Sequence, residues 1–300
     1  MATLYTHQTS NIRKTYLLFT LFFVFIIGIG WLFSSLYGDP SILFFAVIFS
    51  SVMSFVSYWY SDNIVLAMAK AVPVTREKEP ALWNIVENLS ITAGLPMPRV
   101  YIIYEDAPNA FATGRSPERG VVAVTSGLLE RLDKNELEGV IAHELSHIGN
   151  RDTLISTVAV ILVGFISLIS DFFLRSTLIR NREREGGGQV QVVLMFVGIA
   201  LAVLAPIAAT IMRLAISRKR EFLADASGAL LTRYPEGLAN ALRKISQDPR
   251  KLKVANNTTS HLWFEDPFDK PGERISWLHK MFMTHPPVWE RIRALEEMSK

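Results

Sequence analysis

Four stretches of this chain carry no charged residue and are dominated by apolar side chains: residues 15–37, 41–60, 153–170 and 186–212. A helix needs about 20 such residues to cross the hydrocarbon layer of a membrane, and all four qualify by length. The first two read as uninterrupted spans. Asp171 cuts the third short, and Gln189, Gln191 and Pro206 weaken the fourth. For these two, a helix buried in a protein core is the competing reading. The first run is too long and too aromatic for a removable signal, and no small-residue cleavage site follows it, so it reads as a retained anchor.

The remaining segments have the mixed patterning of a folded domain in two pieces. Pro80 opens a helix that runs to Gly94, with Pro96 blocking continuation. Residues 99–104 and 120–125 are rich in β-branched and aromatic residues and predict strands. Between them, 107–115 predicts an edge strand or hairpin. Asp133 followed three residues later by Glu136 predicts a capped helix through about Ile148. Past the fourth run, helices are expected over 218–232, 235–247 and from Pro287 to Met298. The aperiodic stretch 255–280 is a lid or a loosely packed loop.

Charge then orients the spans. Arg13 and Lys14 precede the first, Lys70, Arg76 and Lys78 follow the second, and the turn Gly38-Asp39-Pro40 has no basic residue. This places residues 1–14 and the region after 61 in the cytoplasm. Arg175, Arg180, Arg182 and Arg184 sit in a loop that this topology puts outside, which is a conflict. The expected layout is a cytoplasmic N-terminus (1–14), a transmembrane hairpin (15–60), the first part of a domain (61–152), a second hairpin in or on the membrane (153–213) and the rest of the domain (214–300). Half of the 300 residues are hydrophobic and the mean hydropathy is +0.25, more than a soluble domain needs. The net charge of +3 suits basic residues on a cytoplasmic face, not nucleic-acid binding.

The chemistry lies just before the third run. His143-Glu144-Leu145-Ser146-His147 puts two imidazoles four residues apart on one helical face, with a carboxylate beside them. That is the metalloprotease arrangement, with Glu144 as general base toward the metal's water; two surface histidines on an amphipathic helix would spell the same letters. With no cysteine in the chain, an ion must use His, Asp and Glu, and nitrogen and oxygen ligands around an open position favour zinc. A third ligand is offered by Glu221, and Asp225, four residues on, is placed to accept the free ring N–H of a ligand histidine. Ordinary solvated acids are the alternative for both. The two segments must lie on the same side of the membrane, so the runs between them cross it twice or not at all; this outweighs the loop arginines. His7, His261 and His279 have no partner spacing. His285 or Arg291 is placed to supply an oxyanion donor, although a plain helix-start histidine is the simpler reading of His285.

"HELSH", "REFLAD" and "THPP" in this order, with two apolar runs before the first and two between the first and second, resemble the M48 peptidases. Length and layout are closest to the family's bacterial heat-shock membrane enzymes. The resemblance implies an α+β zincin-like domain, mainly helical with a small sheet, combined with four transmembrane helices. It implies one zinc ion held by His143, His147 and Glu221, with Glu144 as base, Asp225 supporting, and His285 and Arg291 as transition-state or substrate contacts. It further implies that Asn109, Ala110, Phe111 and Ala112 form an edge strand to which substrate backbone adds. The implied substrates are membrane and cytoplasmic proteins, in quality control under stress, for an enzyme of the inner membrane with its catalytic domain in the cytoplasm. A peptidase for prenylated C-termini and a non-enzymatic membrane protein with a structural metal are the rivals. The oligomeric state is left open.

Overall fold

The computed structural model describes residues 4–180, 218–250, 252–255, 259, 262–265 and 286–299. The expected fourth span, most of the 255–280 stretch and His285 lie outside the described residues.

Helix α1 (Leu4–Tyr37) and helix α2 (Ser41–Trp59) form the first hairpin. Within it, Thr9–Ser35 and Ser41–Trp59 are long and apolar enough to cross a membrane. Their outward faces expose Trp31, Phe44, Phe45, Ile48 and Phe55, an apolar surface that water would not tolerate on a monomer. The two helices cross closely at Gly30, where a Cβ would stand 2.3 Å from that of Ala46. Small residues at such a crossing let backbones approach in lipid, where dispersion contacts replace the hydrophobic effect.

Next come helix α3 (Ser61–Met68), strand β1 (Val72–Pro73), helix α4 (Pro80–Ala93), strands β2 (Arg99–Ile103), β3 (Ala110–Thr113) and β4 (Val121–Thr125), helix α5 (Ser126–Arg131) and helix α6 (Lys134–Gly149). Helix α7 (Asp152–Arg180), helix α8 (Arg218–Thr232), helix α9 (Pro235–Ser246) and helix α10 (Val288–Met298) complete the described elements. Helix α4 starts with Pro80 in its first turn and ends at Gly94 with φ +66°, a left-handed conformation that glycine adopts without a Cβ clash. Helix α6 starts at a reciprocal cap. Asp133 Oδ1 accepts from the Glu136 amide at 3.0 Å, and Glu136 Oε2 accepts from the Asp133 amide at 2.9 Å.

The four strands order as β1-β2-β4-β3. β2 and β4 run parallel, while β1 and β3 pair antiparallel to their neighbours. Side chains alternate between faces with period two. Val100, Ile102, Ala110, Ala112, Val122 and Val124 pack with α4 and α6 in one core. Tyr101, Ile103, Phe111, Val121 and Ala123 face a second core containing Val65 of α3, Val160 of α7 and Trp263. Burial on both faces explains why β4 (VVAVT) is apolar up to its last residue.

The third apolar run departs from expectation. Its helix continues through Asp171 to Arg180, so that acid does not end it. Leu154, Ile155, Val158, Ala159, Leu162, Val163 and Ile166 are buried against α1 and α2. The run's opening turns thus pack between the hairpin and the sheet, a burial that periodicity alone cannot separate from a lipid-facing position. α6 and α7 meet at a bend of 81°, turned by Arg151 at φ +57°.

Candidate metal centre

Helices α6 and α8 pack face to face, and a missing side chain permits it. A Cβ on Gly228 of α8 would stand 3.0 Å from the amide nitrogen of His143 and 3.3 Å from its Cα. This contact brings the third carboxylate to the histidine pair. Ligand atoms of His143, His147 and Glu221 lie within 4.8 Å of one another. The two Nε2 atoms are 3.0 Å apart. Glu221 reaches His143 Nε2 at 3.7 Å and His147 Nε2 at 3.6 Å. Tetrahedral zinc with bonds of about 2.0–2.1 Å spaces its ligand atoms about 3.3 Å apart, so the two nitrogens and one carboxylate fit the ion. Glu144 is buried beside them.

Behind each histidine a carboxylate stands close to Nδ1, leaving Nε2 for the ion. His143 Nδ1 lies 2.9 Å from Asp225 Oδ1, and its ring packs edge-on against Phe264 at 5.0 Å. His147 Nδ1 lies 3.0 Å from Asp152 Oδ2. Asp152 lies five residues beyond His147 and past the bend at Arg151, and the sequence reading does not single it out. An acid just after the second histidine is the signal that would have found it.

Electrostatics mark the same point. Burial pushes His143 down to about 4; Asp225 only partly offsets this, while His147 and Arg291 add to it. Burial also pushes His147 down, but Glu221, Asp152 and Glu144 outweigh it and raise the group to about 9. Positive charge is therefore favoured where His147, Glu221 and Glu144 converge, as a cation site requires.

Arg291 is fully buried. Its Nε and Nη2 donate to the two oxygens of Asp225 at 2.8 and 2.7 Å, and Nη1 donates to the Phe264 carbonyl at 3.1 Å. The guanidinium is spent behind His143 and not presented on the ligand side. Burial would raise Asp225, but Arg291 and His143 together hold it at about 2.

The expected substrate strand is at the sheet edge as β3, but its outer side is taken. Phe111 bridges antiparallel to Trp263. The Phe264 amide donates to the Ala110 carbonyl at 2.8 Å, and the Ala110 amide is satisfied by Asn109 Oδ1 at 3.0 Å. Asn109 also clamps the backbone of Glu265, donating from Nδ2 to its carbonyl at 2.9 Å and accepting from its amide at 3.2 Å. Ala112, facing the α6 core, is buried.

A helix-borne histidine pair, an adjacent carboxylate and a third ligand from a second helix define a metallopeptidase. Comparison with known proteins supplies the family. The model for peptidase family M48 matches residues 76–299, and the chain belongs to that family. The "Protease HtpX homolog" of Caldanaerobacter subterraneus subsp. tengcongensis is 42% identical over 99% of this chain and 98% of its own. That of Tropheryma whipplei (strain Twist) is 45% identical over 93% and 94%, and that of Pyrococcus furiosus 44% over 95% of each. In fold, the chain is similar to the crystal structure of S. mikatae Ste24p, with a TM-score of 0.51 and 20% identity; the match covers 89% of this chain and 62% of that one. The chain is a metalloprotease with, among the described residues, two helices suited to crossing a membrane.

Proposed function

We propose that the ion is zinc and that the chain is an endopeptidase cleaving membrane and cytoplasmic proteins, damaged ones among them, from the cytoplasmic side of the inner membrane. The observation that carries this is the His143–His147–Glu221 cluster, with the buried Glu144 close enough to raise His147. His143, His147 and Glu221 would hold the ion. Zinc, when bound, supplies Lewis acidity and lowers the pKa of water to about 7. Glu144 takes a proton from the attacking water on a carboxylate oxygen and returns it to the amine nitrogen as the peptide bond breaks. Asp225 and Asp152 keep the Nδ1 protons of the two histidines in place, so that Nε2 is the nitrogen each ring turns to the ion.

Around this core, the layout comprises four spans, with the catalytic domain divided between 61–152 and 214–300 by the second hairpin. A cytoplasmic site is supported by the basic residues flanking the first hairpin. Substrate backbone adds along Asn109–Ala112, which requires the segment 262–265 to give up that edge. His285 is the transition-state donor, and Arg291 acts through Asp225 on His143.

The test is Glu144→Gln in the full chain. It should bind zinc as the wild type does and lose casein cleavage by about 10²–10⁴-fold; full proteolysis by this variant would overturn the reading. A prenylated peptide assayed in parallel separates general endopeptidase activity from prenyl-protein cleavage.

A further inference from the structure

We infer that Asn11, at the head of the first membrane helix, is a positioning residue for the metal ligand His147 and acts through Asp152. The inference rests on the metal reading above. Asn11 is 2% exposed and Asp152 4%, although Asn11 stands on α1, 141 residues away in sequence. Its Nδ2 donates to Asp152 Oδ1 at 2.7 Å and to the Asn150 carbonyl at 3.0 Å. Arg220 Nη1 reaches the same Asp152 oxygen at 3.2 Å. The other oxygen, Oδ2, takes His147 Nδ1 at 3.0 Å.

Three helices therefore converge on one carboxylate. α7 supplies Asp152, α8 supplies Arg220 next to the ligand Glu221, and α1 supplies Asn11. A carboxylate with one oxygen on His147 can hold that ring only if its own rotation is blocked. The donors on Oδ1 block it, and charge-assisted hydrogen bonds in a buried site are the strong kind. Asn11 adds what Arg220 cannot. By bonding the Asn150 carbonyl as well, it ties Asp152 to the turn between α6 and α7. The first membrane helix thereby sets the direction of an imidazole in the metal site. Groups that orient a ligand histidine are worth about 10–100-fold in metal affinity.

The experiment uses the full-length protein in detergent micelles. Zinc affinity is read by competition with a chromophoric chelator, and the visible absorption of the cobalt-substituted chain reports ligand geometry. Asp152→Asn should weaken zinc by about 10–100-fold. Asn11→Leu should weaken it by about tenfold and shift the cobalt bands. In the Asp152→Asn background, Asn11→Leu should add nothing, because both act on one path. Thr15→Val is the packing control: Thr15 is buried one turn further along α1 and donates only to the Asn11 carbonyl at 2.9 Å, so its affinity and spectrum should match wild type. Wild-type zinc binding with unchanged affinity and spectrum in Asn11→Leu would overturn the inference, as would full additivity with Asp152→Asn or an equal loss in Thr15→Val. A wild-type chain that binds neither metal would instead remove the metal reading, and this inference with it.

Discussion

Replacing Arg291 by Met separates two roles that the sequence alone leaves open. As a donor to the transition state, Arg291 would leave zinc binding and folding untouched and lower kcat alone. As the clamp on Asp225, it supports the fold and the ligand His143 together. The pair is fully desolvated, with side-chain exposures of 0% and 2%, and bidentate at 2.7 and 2.8 Å. Removing one partner of such a pair strands the other charge and costs about 3–5 kcal/mol, a large share of the 5–15 kcal/mol or so that holds a typical domain. Asp225 would then lose the guanidinium that opposes its burial, its pKa would climb from about 2, and its hold on His143 would weaken. Zinc affinity should fall about 10–100-fold. Urea unfolding in micelles, followed by tryptophan fluorescence, measures the first quantity and chelator competition the second. The double variant Asp225→Asn, Arg291→Met should recover part of the stability, since it leaves no unpaired charge. Arg291→Met with stability within about 1 kcal/mol of wild type, unchanged zinc affinity and kcat lowered about 10²–10³-fold would refute the clamp.

The metal-free chain keeps His147 protonated below about 9, so zinc must displace a proton. Apparent affinity should rise about tenfold per pH unit up to about 9 and then level, whereas ordinary histidines would level near 6.5; chelator competition from pH 6.5 to 9.5 decides. By the same sign, that proton stabilises the metal-free fold below pH 6.5, and the stabilisation is gone once pH passes about 9. Gly228→Ala should push α8 off the His143 backbone, costing about 1–3 kcal/mol and weakening zinc; no change in either urea midpoint or zinc affinity would show slack between the helices. A non-cleavable extended peptide added to the Glu144→Gln chain should speed hydrogen exchange at the Phe264 amide as it takes over the Ala110 carbonyl, and unaltered exchange would put the substrate elsewhere.

What could be read in advance was whatever periodicity or fixed spacing encodes. The first two spans, β2 and β4, the Asp133–Glu136 cap, and the four-residue spacings of His143 with His147 and Glu221 with Asp225 all repeat with a helix or a strand. Other features depend on distant partners. Nothing local marks Asn11 as a contact of Asp152, or Arg291 as buried, because their partners arrive only when α1, α7, α8 and α10 assemble. The segment 262–265 joins β3 through backbone bonds that any residues could make. β1 is only two residues long, too short for alternation to show. The third run is less legible for a related reason, because lipid and a protein core select the same side chains.

The right-angled turn after Gly149 limits how this enzyme can work. Only Asn150 and Arg151 separate the ligand-bearing α6 from α7, Asn150 is buried with its carbonyl held by Asn11, and α7 is wedged into the core. Among the described residues no hinge is left between the ligand helix and the hairpin, so the height of the His143–His147–Glu221 cluster is built in. A protein substrate must then bring its scissile stretch to that height.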